Sequence, residues 1–188
     1  MSNGVKVLLV VLGIILIVFG VYISGYNKLV SYDEAIKAAW AQVENVMQRR
    51  NDLIPNLVNT VKGYAKHEKD VFENVTKARS AWTQAKTMED KVKASGQMDE
   101  ALSRLLLVVE NYPQLKANTN FQALQDELAG TENRIAVERK RFNEVVQQYN
   151  MTVRRFPTNI IAGMAGFKQK EIYFKAEETA KKVPEVKF

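Results

Sequence analysis

Apolar positions along this chain recur at alternating intervals of three and four. In the stretch 40–68 and just before it they are Ile36, Trp40, Val43, Met47, Ile54, Leu57, Val61 and Tyr64. That spacing is the seam of an amphipathic helix packed against other helices. Two residues depart from it. Arg50 falls on the seam itself, and Pro55 sits inside a pattern that continues beyond it. A proline there removes the hydrogen bond to the Asn51 carbonyl and disfavours helical geometry at Ile54, which predicts a kink, or a stop and restart, at this corner. Gly63 costs a helix only about 1 kcal/mol relative to alanine, so the pattern predicts a helix continuing towards Lys86.

A second helical stretch is predicted from about Asp90 to Asn111, with Val92, Met98, Leu102, Leu105, Leu106 and Val109 as its apolar side. It ends at Tyr112-Pro113, because the residue before a proline resists helical geometry. Asn118 or Thr119 caps the next helix. Its seam runs through Phe121, Leu124, Leu128, Ile135, Phe142, Val146, Tyr149, Val153 and Phe156, and Pro157 stops it. The apolar run 160–167 is predicted to be a loop, since Gly163 and Gly166 interrupt it and it is too short to span a bilayer. A short charged helix is expected from about Lys170 to Lys182. No period-2 strand pattern and no fixed-length repeat occurs, so the fold class is all-α.

The amino-terminal end is different in kind. Residues 7–23 carry no charge and are mostly Val, Leu and Ile. At about 1.5 Å per residue, a helix through these residues and their flanks covers most of the roughly 30 Å hydrocarbon core. A cleaved signal peptide is the rival reading. The apolar run is longer than a usual h-region, Lys6 alone supplies the basic side chain before it, and no Ala-x-Ala-like site follows. The expectation is an uncleaved single-pass anchor, with lipid as the partner of this segment. Ser31 and Glu34 fit a capping box, which predicts a helix start just outside the membrane. Lys6 and the terminal amine face Lys28 and Lys37 across the span, so the positive-inside count is close to a tie. The predicted organisation is an anchor over 1–25, an antiparallel bundle resembling a four-helix bundle over 26–156, and an apolar loop with a short helix over 157–188.

Composition excludes several chemistries. The chain has no cysteine, hence no disulfide, thiolate nucleophile or lipoprotein attachment, and its single histidine, His67, rules out a multi-histidine metal site. A di-metal bundle needs Glu-x-x-His on two helices, and that motif is absent. No glycine-rich phosphate loop occurs. No cofactor is expected. The net charge is +6, and between Arg134 and Phe156 six basic side chains (Arg134, Arg139, Lys140, Arg141, Arg154 and Arg155) stand against Glu138 and Glu144; they are read first as a solvated face and second as attraction to anionic lipid or an acidic partner. Phe142, Tyr149 and Phe156 fall on the seam rather than between the basic residues, which argues against nucleic acid as a partner.

The ordered motifs resemble the LemA family of bacterial membrane proteins. They are Tyr26-Asn27-x-Leu29-Val30, Gln48-Arg49-Arg50-x-Asp52-Leu53-Ile54-Pro55-Asn56-Leu57-Val58, Val61-Lys62-Gly63-Tyr64-Ala65, Tyr112-Pro113-x-Leu115-Lys116-Ala117-Asn118, Phe121-x-x-Leu124-Gln125-x-Glu127-Leu128, Thr131-Glu132-Asn133-x-Ile135-Ala136, Tyr149-Asn150 and Gly166-Phe167. Phe142 stands where the family usually shows tyrosine. The resemblance implies a membrane-anchored bundle with no established activity, a short external amino terminus and the bundle inside the cell. It also implies that some relatives are tied to membrane or organelle assembly and that some are encoded beside a membrane metalloprotease.

Arg49, Arg50, Asp52 and Pro55, with Ile160, Ile161 and Phe167, are the candidate structural or interaction residues. A seam arginine is expected to be paired, because an unpaired buried charge is very costly; Glu127 and Glu132 are the expected partners. The competing reading is an anion site made by Arg49 and Arg50 with Lys62 or Lys66. The run containing Ile160, Ile161 and Phe167 is read either as a cover over the end of the bundle or as an exposed contact with the membrane surface or with another copy, flanked by Arg154, Arg155, Lys168 and Lys170. The expected function is a non-catalytic scaffold or adaptor in the inner membrane, binding other membrane proteins or copies of itself. The alternative is a regulatory or signalling subunit of a membrane complex such as a membrane protease.

Overall fold

In the computed structural model, which describes residues 2–174, the apolar stretch and the first seam belong to one 60-residue helix, α1 (Asn3–Lys62). The helix start predicted at Ser31 does not occur. The chain is already helical there, and Glu34 is used on the helix surface, accepting from Lys37 Nζ at 2.6 Å. Nor does α1 stop at Pro55, which lies inside it. It ends at Lys62, earlier than the pattern predicts. Gly63 and Tyr64 turn out of the helix, the Tyr64 and Ala65 amides both donate to the Val61 carbonyl, and Ala65 becomes fully buried. A glycine that only weakens a helix becomes its end when tertiary contacts favour a turn.

α2 (Lys69–Gln84) and α3 (Met88–Val109) form an antiparallel hairpin. Thr87 caps α3, its Oγ1 accepting from the Asp90 amide at 3.1 Å. A single turn, α4 (Pro113–Lys116), has its proline where no intrahelical N–H is needed. Asn118 caps α5 (Thr119–Arg154), its Oδ1 accepting from the Phe121 amide at 3.0 Å. Residues 160–167, predicted as a loop, are largely helical: α6 (Thr158–Ala165) includes Gly163 and ends at Gly166. Gly166 has φ +79°, a left-handed conformation that favours glycine, and the Phe167 amide closes back onto the Ala162 carbonyl at 2.9 Å. Residues 170–174 are not helical, and the rest of the helix expected to Lys182 lies outside the described residues. No strand occurs among the described residues.

The chain divides into two compact units. The first comprises Met1–Trp40 with Arg141–Tyr173. Its core contains Leu29, Ile36, Trp40, Phe142, Val146 and Tyr149, with the Trp40 and Phe142 rings edge to face at 5.6 Å. The second consists of Ala41–Lys140 and, among the described residues, Phe174. Its core is built from Ile54, Leu57 and Val61 of α1, Phe72 and Val75 of α2, Met98, Leu102 and Leu105 of α3, and Phe121 and Leu128 of α5. Each of these positions lies on a helix face that the three-and-four spacing defines.

Candidate functional site

Charged side chains converge on α1 in the second unit. Arg50 is 2% exposed, and its Nη1 donates to Asp99 Oδ1 of α3 at 2.5 Å and to Glu132 Oε2 of α5 at 2.8 Å. Arg139, two turns further along α5, donates to the other Asp99 oxygen at 3.2 Å. A buried guanidinium therefore clamps three helices, and its charge is met by two carboxylates as burial requires. Glu132 was an expected partner; Asp99 was not. Asp99 lies one position past the seam residue Met98, where an acidic residue looks solvent-facing until a cation from a third helix reaches it. Arg139 also departs from the solvated face expected of the late basic residues: its guanidinium lies 5.2 Å from the Phe174 ring. Arg49, by contrast, points outward and pairs with Glu127 at 2.5 Å across an exposed edge. Asp52 is exposed and accepts from Gln48 Nε2, one turn before it, at 2.7 Å.

The anion site considered for Arg49 and Arg50 is not assembled. Lys62 and Lys66 instead edge a shallow cleft over Phe72, with Lys69 and Lys77. His67 is exposed in the turn after α1, and no group of three metal-binding side chains converges among the described residues.

Pro55 leaves the Asn51 carbonyl without its helical donor. Arg79 of α2 takes that place, its Nε donating to Asn51 O at 3.3 Å. The Asn51 side chain is buried alongside and donates from Nδ2 to Thr83 Oγ1 at 3.4 Å. The corner at Pro55 is thus a point where α2 hydrogen-bonds into the backbone ladder of α1.

In the first unit the motif Tyr149-Asn150 holds an extended strap, residues 168–173, against α5. Tyr149 donates to the Lys168 carbonyl at 2.9 Å. Asn150 donates from Nδ2 to the Lys170 carbonyl at 2.7 Å and accepts from the Lys170 amide at 2.8 Å. The Lys170 ammonium then reaches Asp33 of α1 at 3.2 Å. Burial pushes the Asp33 carboxyl up, but the hydrogen bonds and charges of Lys37 and Lys170 outweigh it and hold its pKa below the ordinary value. Burial, reinforced by the Asp33 charge, pushes the Tyr149 hydroxyl up, so it stays a donor.

α6 is two-faced. Ile161 and Ala162 are buried, and Ile161 Cδ1 fills the space where a side chain on Gly25 would begin, so only glycine allows this close approach without a shift. Phe167 packs edge to face on Tyr26, which stacks on Tyr22. Ile160, Met164 and Phe156 face outward, Phe156 at 76% exposure. Phe156 was expected in the core. α5 ends at Arg154, so the residue falls beyond the helix whose phase would have buried it.

These features define a helical bundle on a helix long and apolar enough to cross a membrane. The sequence profile of the LemA family matches residues 39–188, and the chain belongs to that family. Magnetosome proteins MamQ 1 and MamQ 2 of Paramagnetospirillum magneticum are each 27% identical to it over 174 residues, covering 79% of this chain and 64% of theirs. Protein LemA of Metamycoplasma hominis is 24% identical over 147 residues, covering 78% of this chain and 67% of its own. The chain therefore spans just under two thirds of the length of the MamQ relatives, at 64%.

Proposed function

We propose that this protein is a non-catalytic, membrane-tethered scaffold of LemA type that assembles with itself or with other membrane proteins, anchored by a single pass through the inner membrane with the bundle on the cytoplasmic side. The observation that carries this reading is the continuity of α1: a membrane-length apolar stretch runs on as one helix into residues packed in the helical cores. A tether of that kind suits a protein that holds partners at a membrane. The polar cluster around Arg50 fits the same reading, because its carboxylates and guanidinium groups pair with one another and tie helices together.

The test is purification of the full chain from membranes in mild detergent, with mass measured in solution and co-purifying proteins identified. A scaffold yields a large self-assembly or a multi-protein assembly. A stoichiometric complex with one membrane protease would favour the regulatory-subunit reading instead. A solitary monomer, or release of the protein by carbonate, would count against both the scaffold and the anchor.

A further inference from the structure

Between α1 and α6 runs an apolar groove lined by Ile14, Val18, Phe19 and Tyr22 on one side and Ile160 and Met164 on the other. Every one of its α1 residues lies within the uncharged run 7–23. At about 1.5 Å per residue, Ile14 is roughly 14 Å of helix from Ile23, close to half of the roughly 30 Å hydrocarbon core. If that run crosses a bilayer, anything seated beside Val18 and Tyr22 lies within the bilayer as well. Gly25 and Ile161 hold α6 at this level of α1.

We propose that α6 is a second membrane-embedded element, an interfacial helix sunk into one leaflet against the span, and that a phospholipid acyl chain fills the groove between them. The inference rests on the anchor reading and goes beyond it. Three observations carry it. The outward face of α6, with Phe156 before it, is apolar and exposed: Ile160 is 54% and Met164 74% accessible. That face is continuous through the groove with the apolar surface of the span. The charges next to α6 in sequence are of one sign, since residues 151–169 include Arg154, Arg155 and Lys168 and no acidic side chain, while Lys170 beyond them is already paired with Asp33. An apolar face bordered by cations is what an interfacial helix presents to anionic headgroups. Tyr22, Tyr26 and Phe167 cluster at the same level, where aromatic rings favour the headgroup boundary.

The test uses the absence of native cysteine. Full-length single-cysteine variants Phe19→Cys, Met164→Cys, Ile160→Cys and Val137→Cys all replace exposed residues, which limits disturbance of the fold, and far-UV circular dichroism checks each one. Each is spin-labelled and reconstituted into vesicles of phosphatidylcholine and phosphatidylglycerol, and collision with oxygen is compared with collision with a water-soluble nickel chelate. Labels at Met164 and Ile160 are expected to behave like the label at Phe19, with nickel collision on the order of tenfold below that at Val137 and oxygen collision raised. If Phe19 is shielded while Met164 and Ile160 are as nickel-accessible as Val137, α6 lies in water and the proposal fails, leaving the anchor intact. If Phe19 itself is nickel-accessible, the anchor reading fails and takes this one with it. Shielding of Met164 from both reagents, with dipolar broadening between labels, would show that a second copy covers the groove and would also overturn the lipid assignment.

Discussion

Replacing Arg50 by alanine measures how much the three-helix clamp contributes. Removing one member of a buried ion pair costs about 3–5 kcal/mol, largely because its partner is left charged and dry. Two features moderate that figure here. Asp99 keeps Arg139 at 3.2 Å, and the Glu132 side chain is 48% exposed, so water takes over its solvation. We expect about 3 kcal/mol for Arg50→Ala, near the lower end. Asp99→Ala should match it, because it strips a carboxylate from two guanidinium groups at once. Glu132→Ala should cost below about 1 kcal/mol, as expected for a half-exposed partner. In a chain of this size 1 kcal/mol shifts Tm by about 2–4 °C. Thermal unfolding followed by circular dichroism in detergent should therefore fall by about 6–12 °C for the two larger variants. Combining Arg50→Ala with Asp99→Ala should be strongly non-additive, with a coupling on the order of 2 kcal/mol. Wild-type midpoints for both single variants, or a Glu132 effect as large as that of Asp99, would refute the clamp.

Further predictions concern the other junctions. Arg79→Ala should cost about 1 kcal/mol by orphaning the Asn51 carbonyl, and clearly less in a Pro55→Ala background, where the new amide supplies the bond; equal costs in both backgrounds would remove Arg79 from that role. Asn150→Leu should release the strap, seen as faster hydrogen exchange at the Lys170 amide while core amides of α5 stay protected. Because the Asp33 pKa is lowered in the folded protein, its contribution is present above the unfolded value of about 3.9 and is lost as pH falls through the lower folded value. The tie between Lys170 and Asp33 should accordingly be constant across neutral pH and weaken only in acid, an acid dependence that Asp33→Asn abolishes. Gly25→Leu should detach α6 from α1, exposing Ile161 to labelling once it is replaced by cysteine, whereas Gly25→Ala should be milder because the crowding atom is the tip of a flexible side chain.

The three-and-four spacing made the helical architecture legible, since burial of an apolar face dominates helix packing. Ile36, Trp40, Val43, Met47, Ile54, Leu57 and Val61 are buried as the seam predicts, and so is Arg50, whereas Tyr64, which falls beyond the end of α1, is exposed. The misses share a cause. Ser31, Gly63 and Gly163 carry local signals of only about a kilocalorie each, so tertiary contacts decide the outcome: they override the first and third, extending α1 through Ser31 and building α6 over Gly163, and reinforce the second, ending α1 just before Gly63. The partners Asp99 and Arg79 were not readable, because each contact joins residues distant in sequence and neither lies on an apolar seam. Arg139 looked like surface because it stands in a basic run with Lys140 and Arg141, although the three-and-four spacing sets it beside Ile135 and Phe142, and it took the carboxylate beside Arg50 to place it.

The close approach of Ile161 to Gly25 also bears on membranes of unequal thickness. A lone spanning helix meets hydrophobic mismatch by tilting or by sliding along the bilayer normal. On the proposed reading, a span that carries α6 docked at Gly25, with the strap fastened to Tyr149 and Asn150 beyond it, is not free to slide at that end without moving aromatic rings and cations off the headgroup boundary proposed for them. Adjustment to a thinner or thicker bilayer then falls to the amino-terminal end of α1, where residues 2–12 are all exposed.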